Sequence, residues 1–321
     1  MLSATTIVYF SGTGGTARAA HAIKQALESL SVEVRLLELR KDNSLAPALE
    51  ADHLVLMFPV HVFDAPQPVY EFIEQLPLVK GRRAAVVSIS GGGEVFPNRA
   101  CRRVVCLKLE QKGYCVDFES MLVMPNNTII PTGENTSLGL LRILREQSDE
   151  AVEQLAVCDE IASDLADGVT RRVFAPRGDR IFAGFSRHEK DTPGLKKFGE
   201  RIKAGDTCNY CGWCVQACPQ NNISMASDTS LPHFGSSCAL CLRCIYGCPE
   251  HALSPGIASF LVIRNGFSLS KMEQQDSIDQ TELDRELKGA LWVAVRKYIE
   301  KYLRREKDGS KRTHGDGSSG L

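Results

Sequence analysis

Along the first 168 residues the apolar positions follow two rhythms. Short β-branched or aliphatic runs fall at residues 6–10, 32–39, 54–60, 84–89 and 116–124, and the stretches between them carry apolar residues at helical spacing. Such alternation predicts a parallel sheet, because parallel neighbours need a crossover, and helical crossovers cover both faces. A last helix is predicted over 138–166, where Leu141, Leu144, Val152, Leu155, Ile161 and Leu165 fall near helical spacing. Five strands with five helices make a doubly wound α/β domain. A further amphipathic helix is predicted over 279–305, with Leu283, Leu287, Leu291, Val295, Tyr298 and Tyr302 along one face. Its acidic residues and narrow apolar face favour packing on the protein over lying on a membrane. Beyond Lys307 the low-complexity tail is expected to be disordered.

The chain has 321 residues, 43% of them hydrophobic, and a net charge of −1, which excludes a disordered or collagenous chain and leaves room for two domains. Near-neutrality hides a split. Residues 1–168 hold 15 Lys/Arg against 22 Asp/Glu, and 169–207 hold 10 against 5 with Pro176, Gly178, Gly184, Pro193 and Gly194 as breakers. The predicted division is therefore a doubly wound domain 1–168, a basic connector 169–204, a cysteine-dense domain 205–256, an extension 257–305 and a tail 306–321. The connector reads as a solvated strap across the acidic first domain, or as a docking surface for an acidic redox partner. It lacks the interleaved aromatics of a nucleic-acid platform. No apolar run is long enough to span a membrane, and the segment MLSATTIVYF has no basic leader, so a cytoplasmic protein is expected. Twelve cysteines then need an explanation other than disulfides.

Eight of them supply it. Cys208, Cys211, Cys214 and Cys218 follow C-x2-C-x2-C-x3-C before Pro219, and the pattern recurs at Cys238, Cys241, Cys244 and Cys248 before Pro249. Three cysteines spaced by two residues wrap three corners of a cubane cluster, and the fourth, before proline, serves the other cluster. Cys208, Cys211, Cys214 and Cys248 would hold one 4Fe-4S cluster, and Cys238, Cys241, Cys244 and Cys218 the second. The competing metal is zinc, whose ribbons use separated cysteine pairs. The segment resembles the bacterial two-cluster ferredoxins, including Asn221 to Ile223 after the first motif and Glu250 to Leu253 after the second. That resemblance implies a small α+β domain with two one-electron centres. Trp213 and Tyr246 lie within the motifs, either shielding a cluster or packing. Cys101, Cys106, Cys115 and Cys158 have no regular spacing and read as buried small hydrophobes.

After the first strand come Ser11, Gly12, Thr13, Gly14, Gly15 and Thr16, opening a helix. Free backbone N–H groups and a positive helix end suit a phosphate there. The absence of a Lys excludes a nucleotide P-loop, and the dinucleotide spacing is also missing. These residues resemble the flavodoxin phosphate loop, with Ser11, Thr13, Gly14 and Thr16 matching; Gly15 stands where a side chain is common. The resemblance implies a flavodoxin-like fold binding FMN. Two more loops fall at strand ends beside the switch point of such a fold. One carries Pro59, Val60, His61 and Phe63, with His61 and Phe63 as stacking candidates. The other carries Ser90, Gly91, Gly92 and Gly93, whose backbone would approach the flavin edge. The bland alternative is that these are ordinary strand-end turns, and neither loop offers Trp or Tyr.

Together the two halves resemble the EFR family of flavodoxin-ferredoxin fusion proteins. The resemblance includes Met124-Pro125-Asn126-Asn127 after the fifth strand and Asn265-Gly266-Phe267 after the clusters. It implies an electron-transfer protein that passes single electrons between FMN and two clusters, fed by a separate reductase or ferredoxin. Two alternatives stand beside it: a flavin-dependent reductase of a small acceptor supplied by the clusters, and a flavin-free scaffold that docks the ferredoxin half to a partner.

Overall fold

The computed structural model describes residues 2–50, 52–61, 63–128, 156–173, 193–263, 266–273, 287, 292–298 and 300. Five strands, β1 (Ala4–Tyr9), β2 (Glu33–Glu38), β3 (His53–Pro59), β4 (Arg83–Ser90) and β5 (Cys115–Val123), pair in parallel in the order β2-β1-β3-β4-β5. This is the flavodoxin-like doubly wound order, in which the chain leaves β1 for one side and returns past it to β3. The fold is therefore a flavodoxin-like α/β sheet.

Alternation along each strand explains the layers, since successive side chains point to opposite faces. Val8, Phe58 and Val86 face one way and pack under α3 (Gln67–Gln75) and α4 (Phe96–Gln111), with Phe72, Val105 and Leu109. Ile7, Met57 and Val87 face the other way and pack under α1 (Gly15–Ser29) and α5 (Ala156–Ala166), with Ile23, Leu27 and Ile161. A short α2 (Ala46–Glu50) precedes β3. Central β3 and β4 are buried almost throughout, as strands covered on both faces must be, whereas edge strand β2 is only partly so.

Arg171 extends the other edge: its N–H donates to Asp117 O at 2.9 Å, and its carbonyl accepts from Glu119 N–H at 2.7 Å. Its guanidinium pairs with Glu160 and Asp164, and Arg172 pairs with Glu110 and Glu119. The start of the basic connector is thus bound to acidic groups of the sheet half. The rest of that connector over 174–192, the predicted helix before residue 156 and the tail 306–321 lie outside the described residues.

The cysteine-dense half is a small module with two short antiparallel pairs, β6 (Lys203–Ala204) with β9 (Leu253–Ser254) and β7 (Ile223–Ser224) with β8 (His233–Phe234). Its duplication is visible in the backbone. Tyr210, Gly212 and Asn221 have left-handed φ of 60°, 69° and 50°, and their counterparts Leu240, Leu242 and His251 have 56°, 59° and 51°. Each short helix, Trp213–Ala217 and Arg243–Gly247, follows one of these residues. Side chains other than glycine cost ~1–2 kcal/mol each in this region, so the ligand loops hold strain.

Two sequence expectations need correction. Helix Pro193–Glu200 and the residues after it do not act as linker: Phe198 and Ile202 are buried in the module's own core with Ile223, Phe234 and Ile245. A module this poor in large apolar residues needs that cover. Cys101, Cys106 and Cys158 are buried as expected, but Cys115 is exposed, because it opens β5 at the sheet's rim. From the predicted C-terminal helix the structure shows Trp292 and Val295 buried with Leu287 against Val123 of β5, with Tyr298 packed alongside. Among the described residues no helix is long and apolar enough to cross a membrane.

Candidate functional site

The switch point between β1 and β3 forms a cleft of about 460 Å³, partly open to solvent. Its lining brings together Ser11, Gly12, Thr13, Gly15 and Thr16 from the first loop, Pro59, Val60 and His61 from the second, and Ser90 and Gly91 from the third. Gly14, at φ 100°, turns the chain into α1, and Ser11 Oγ accepts from Ala17 N–H at 3.2 Å. The N–H groups of Gly15 and Thr16, at the start of α1, have no helical carbonyl to serve and suit an anion.

The remaining predicted residues lie elsewhere. His61 and Asp64 exchange backbone hydrogen bonds of 2.8 and 2.9 Å, closing a tight turn that puts Phe63 at φ 65° with its ring 53% exposed. Phe63 is not in the lining. The Asp64 carboxylate secures this turn by accepting from Ala65 N–H at 2.8 Å and from the Tyr70 hydroxyl. Gly92 and Gly93 sit behind the cleft, braced by Asn98 of α4, whose Nδ2 donates to Ser90 Oγ at 2.7 Å and Gly93 O at 2.8 Å. Gly93, at φ 67°, packs against Ala294 and Val123.

The third loop also contributes Ile89, and the cleft has walls that the three loops do not provide: Met124 to Asn127, and Phe267. The Met124 to Asn127 wall follows from β5 lying beside β4, a topological signal already present in the strand order. Phe267 arrives from beyond the cysteine module and has no local signal. It supplies an aromatic ring that the strand-end loops lack, and it packs at 5.8 Å against Tyr246.

Each cysteine run also builds a cavity. One of about 330 Å³ is lined by Cys208, Cys211, Cys214 and Cys248, with Trp213, Met225, Pro232 and Leu253. The other, about 420 Å³, is lined by Cys218, Cys238, Cys241 and Cys244, with Phe198, Ile202, Ile223 and Phe234. Three thiols of one run thus meet the fourth of the other. The donor set is all sulfur and the walls are largely apolar. That arrangement fits a multi-iron cluster ligated corner by corner.

Backbone N–H groups already address the fourth sulfurs, from Asn222 to Cys218 Sγ and from Ala252 to Cys248 Sγ, both at 3.4 Å. Burial pushes the Cys238 thiol up to about 12, and it raises Cys214, Cys241 and Cys244 as well. Metal binding must therefore displace protons. Cys214 of one cavity and Cys244 of the other are buried in the same core, so the two cavities adjoin.

The cleft and the second cavity share a wall. Cys241 and Ala239 belong to the apolar core that contains Val8, Phe10 and Phe58. A Cβ on Gly12 would stand 2.6 Å from Cys241 O, so only glycine admits this approach. Asn127 Nδ2 donates to Thr13 Oγ1 at 3.1 Å and to Cys241 O at 3.4 Å. Arg243 donates from Nη2 to Ser11 O at 2.6 Å and from Nε to Gly12 O at 2.9 Å, and pairs with Glu38 at 2.5 Å. Tyr246 donates its hydroxyl to Asn127 O at 2.5 Å and accepts from Ile263 N–H at 3.0 Å, so it is a strut between halves. His61 Nδ1 faces Ala239 O at 3.2 Å, which fixes the proton on that nitrogen, and burial pushes its pKa down to about 4 against the pull of that carbonyl.

Residues 205–224 match the family model for the 4Fe-4S binding domain. That span holds the first cysteine run; the second repeats its spacing. A search of curated proteins finds no match. Among solved structures, a flavodoxin from the domain Archaea is 17% identical over 52% of this chain and 98% of its own, with a TM-score of 0.36. The Streptococcus pneumoniae TIGR4 flavodoxin is 19% identical over 52% of this chain and all of its own, with a TM-score of 0.37. Oxidised Flavodoxin 1 from Bacillus cereus is 15% identical over the same shares, with a TM-score of 0.36. The fold assignment rests on the strand order itself, and the chain combines that sheet with a 4Fe-4S binding segment.

Proposed function

We propose that the protein transfers electrons between FMN, held in the switch-point cleft, and two 4Fe-4S clusters, held in the two cysteine cavities. One observation carries the reading: Cys241, which lines the second cavity, is packed against Gly12 of the phosphate loop. A flavin in the cleft and a cluster in the second cavity would then lie on either side of this contact, which supports the reading. FMN, when bound, holds one or two electrons and each cluster one, so the pair connects two-electron with one-electron partners.

The chain's own residues divide the work. Ser11, Thr13, Gly15 and Thr16 offer hydroxyls and backbone N–H groups to the phosphate, without a basic side chain among them. Gly91 keeps the third loop thin, since a Cβ there would stand 2.8 Å from Asn126 Cβ. Phe267 supplies an aromatic wall. Cys208, Cys211, Cys214 and Cys248 would hold an outer cluster, reached through exposed Cys211 and Tyr210, and Cys218, Cys238, Cys241 and Cys244 an inner one. The partner is a redox protein of the reductase or ferredoxin type.

The test is anaerobic reconstitution with iron, sulfide and flavin measured on one sample. About eight irons and eight sulfides with one FMN per chain are expected. Full iron without FMN would instead select the scaffold reading, and turnover of a small acceptor lost on His61→Ala with flavin retained would select the reductase.

A further inference from the structure

We infer that the flavin phosphate site is completed by the inner cluster's binding loop, with Arg243 as the positioning residue, so that FMN affinity depends on the inner cluster being in place. This rests on the flavin reading above and adds a dependence to it.

Arg243 lies between two inner-cavity cysteines, Cys241 and Cys244; its Nη1 donates to Ala217 O within the module at 3.3 Å, while Nε and Nη2 grip the phosphate loop. It takes two consecutive carbonyls, Ser11 O and Gly12 O. In a trans peptide the carbonyl of one residue and the N–H of the next point in opposite directions. Holding the Ser11 and Gly12 carbonyls toward the module therefore turns the Gly12 and Thr13 N–H groups the other way, toward the cleft that these residues line. The same side chain pairs with Glu38, so it brings no net charge to the site. Its contribution is to aim N–H groups, and three carbonyls plus a carboxylate match the planar fork of Arg and not the single ammonium of Lys.

Two contacts add to this clamp. The Cys241 carbonyl abuts Gly12, and Asn127 ties that carbonyl to the Thr13 hydroxyl. The loop that makes them contains left-handed Leu240 and Leu242, a strained backbone that ligation of the neighbouring cysteines would help to hold. Without the inner cluster the loop can relax, and Arg243 and Cys241 then lose their hold on the phosphate loop. Linkage is reciprocal, so bound FMN must stabilise the inner cluster by the same factor. The outer cavity is lined by no residue of the sheet half and has no such route.

The experiment compares FMN with riboflavin, which lacks the phosphate, by anaerobic fluorescence titration of the full chain. Arg243→Lys and Arg243→Gln, checked for unchanged iron and sulfide, should each lower the FMN-to-riboflavin affinity ratio about tenfold, or ~1.4 kcal/mol. Cys238→Ser, which removes an inner ligand, should lower it equally. Arg40→Ala removes a different contact between the halves, the donation to Gln216 O at 2.8 Å, and should leave the ratio intact. FMN should also slow the oxidative bleaching of the inner cluster. A wild-type ratio retained in both Arg243 variants would overturn the inference while leaving the flavin reading standing. An equal loss in Arg40→Ala would overturn it too, by showing that mere docking sets affinity. Failure of the wild type to bind FMN would overturn the flavin reading together with it.

Discussion

At the scale of single residues, the decisive ones act through what they lack or cannot accept. Gly12 carries no side chain because the Cys241 carbonyl occupies the place of its Cβ. Gly12→Ala should therefore cost ~1–3 kcal/mol through overpacking, seen as a lower melting temperature of the iron-loaded protein; an unchanged melt would mean that the two halves do not meet there. His53 is the other such residue. It is 3% exposed, its Nδ1 shares a 2.8 Å hydrogen bond with Thr5 Oγ1, and burial pushes its pKa down to about 4, with Arg83 adding to that and Asp117 opposing it. The unfolded ring takes its proton near pH 6.5. Between that pH and about 4 the unfolded chain binds a proton that the folded chain refuses, so stability falls as pH falls through this window, by ~3 kcal/mol at its acid end. The His53 ring should stay neutral by NMR until near pH 4, and His53→Gln should flatten the acid side of the melting profile. A ring midpoint near 6.5 would remove the basis of this prediction.

At the scale of elements, the duplicated cysteine runs pack their two short helices ring against backbone. Trp213, at the start of one, lies over Gly247, at the end of the other, and a Cβ on Gly247 would stand 1.9 Å from the indole. Gly247→Ala should displace Trp213 from the wall of the outer cavity, so the outer cluster should bleach faster in air while FMN affinity holds. Equal bleaching of wild type and variant would show that the indole does not shield it. The runs themselves were legible because cluster ligation imposes a spacing that other uses of cysteine do not share. The strands were legible too, most plainly central β3 and β4, where burial on both faces makes a continuous apolar run between turn residues. What sequence could not supply were contacts between distant segments. Phe267 reaches the cleft from beyond the module, Arg243 reaches the phosphate loop from within it, and helix Pro193–Glu200 joins the module's core although its basic, glycine-bearing composition reads as linker. For Phe63 the local signal is an aromatic at a strand end; the His61–Asp64 turn leaves it half-exposed and outside the cleft lining.

At the scale of the whole molecule, the proposed centres stand in series. The inner cavity's Cys241 is buried in the sheet's own core, while the outer cavity's Cys211 is exposed beside Tyr210. Around the outer cavity the charge is acidic: Glu250 lines it and exposed Asp206 lies two residues before Cys208, whereas the exposed bases Lys197, Arg201 and Lys203 precede that run and Arg243 is turned inward to the phosphate loop. A cationic reductant should accordingly be drawn to the outer face and electrons should pass outer cluster, inner cluster, flavin. With methyl viologen radical as donor in stopped flow, flavin reduction in the wild type should slow as salt rises, because screening removes the attraction. In Cys211→Ser, with the inner cluster verified by EPR, it should slow further and lose its salt dependence. If that variant reduces its flavin at the wild-type rate, electrons enter through the open cleft, and the outer cluster is not the port.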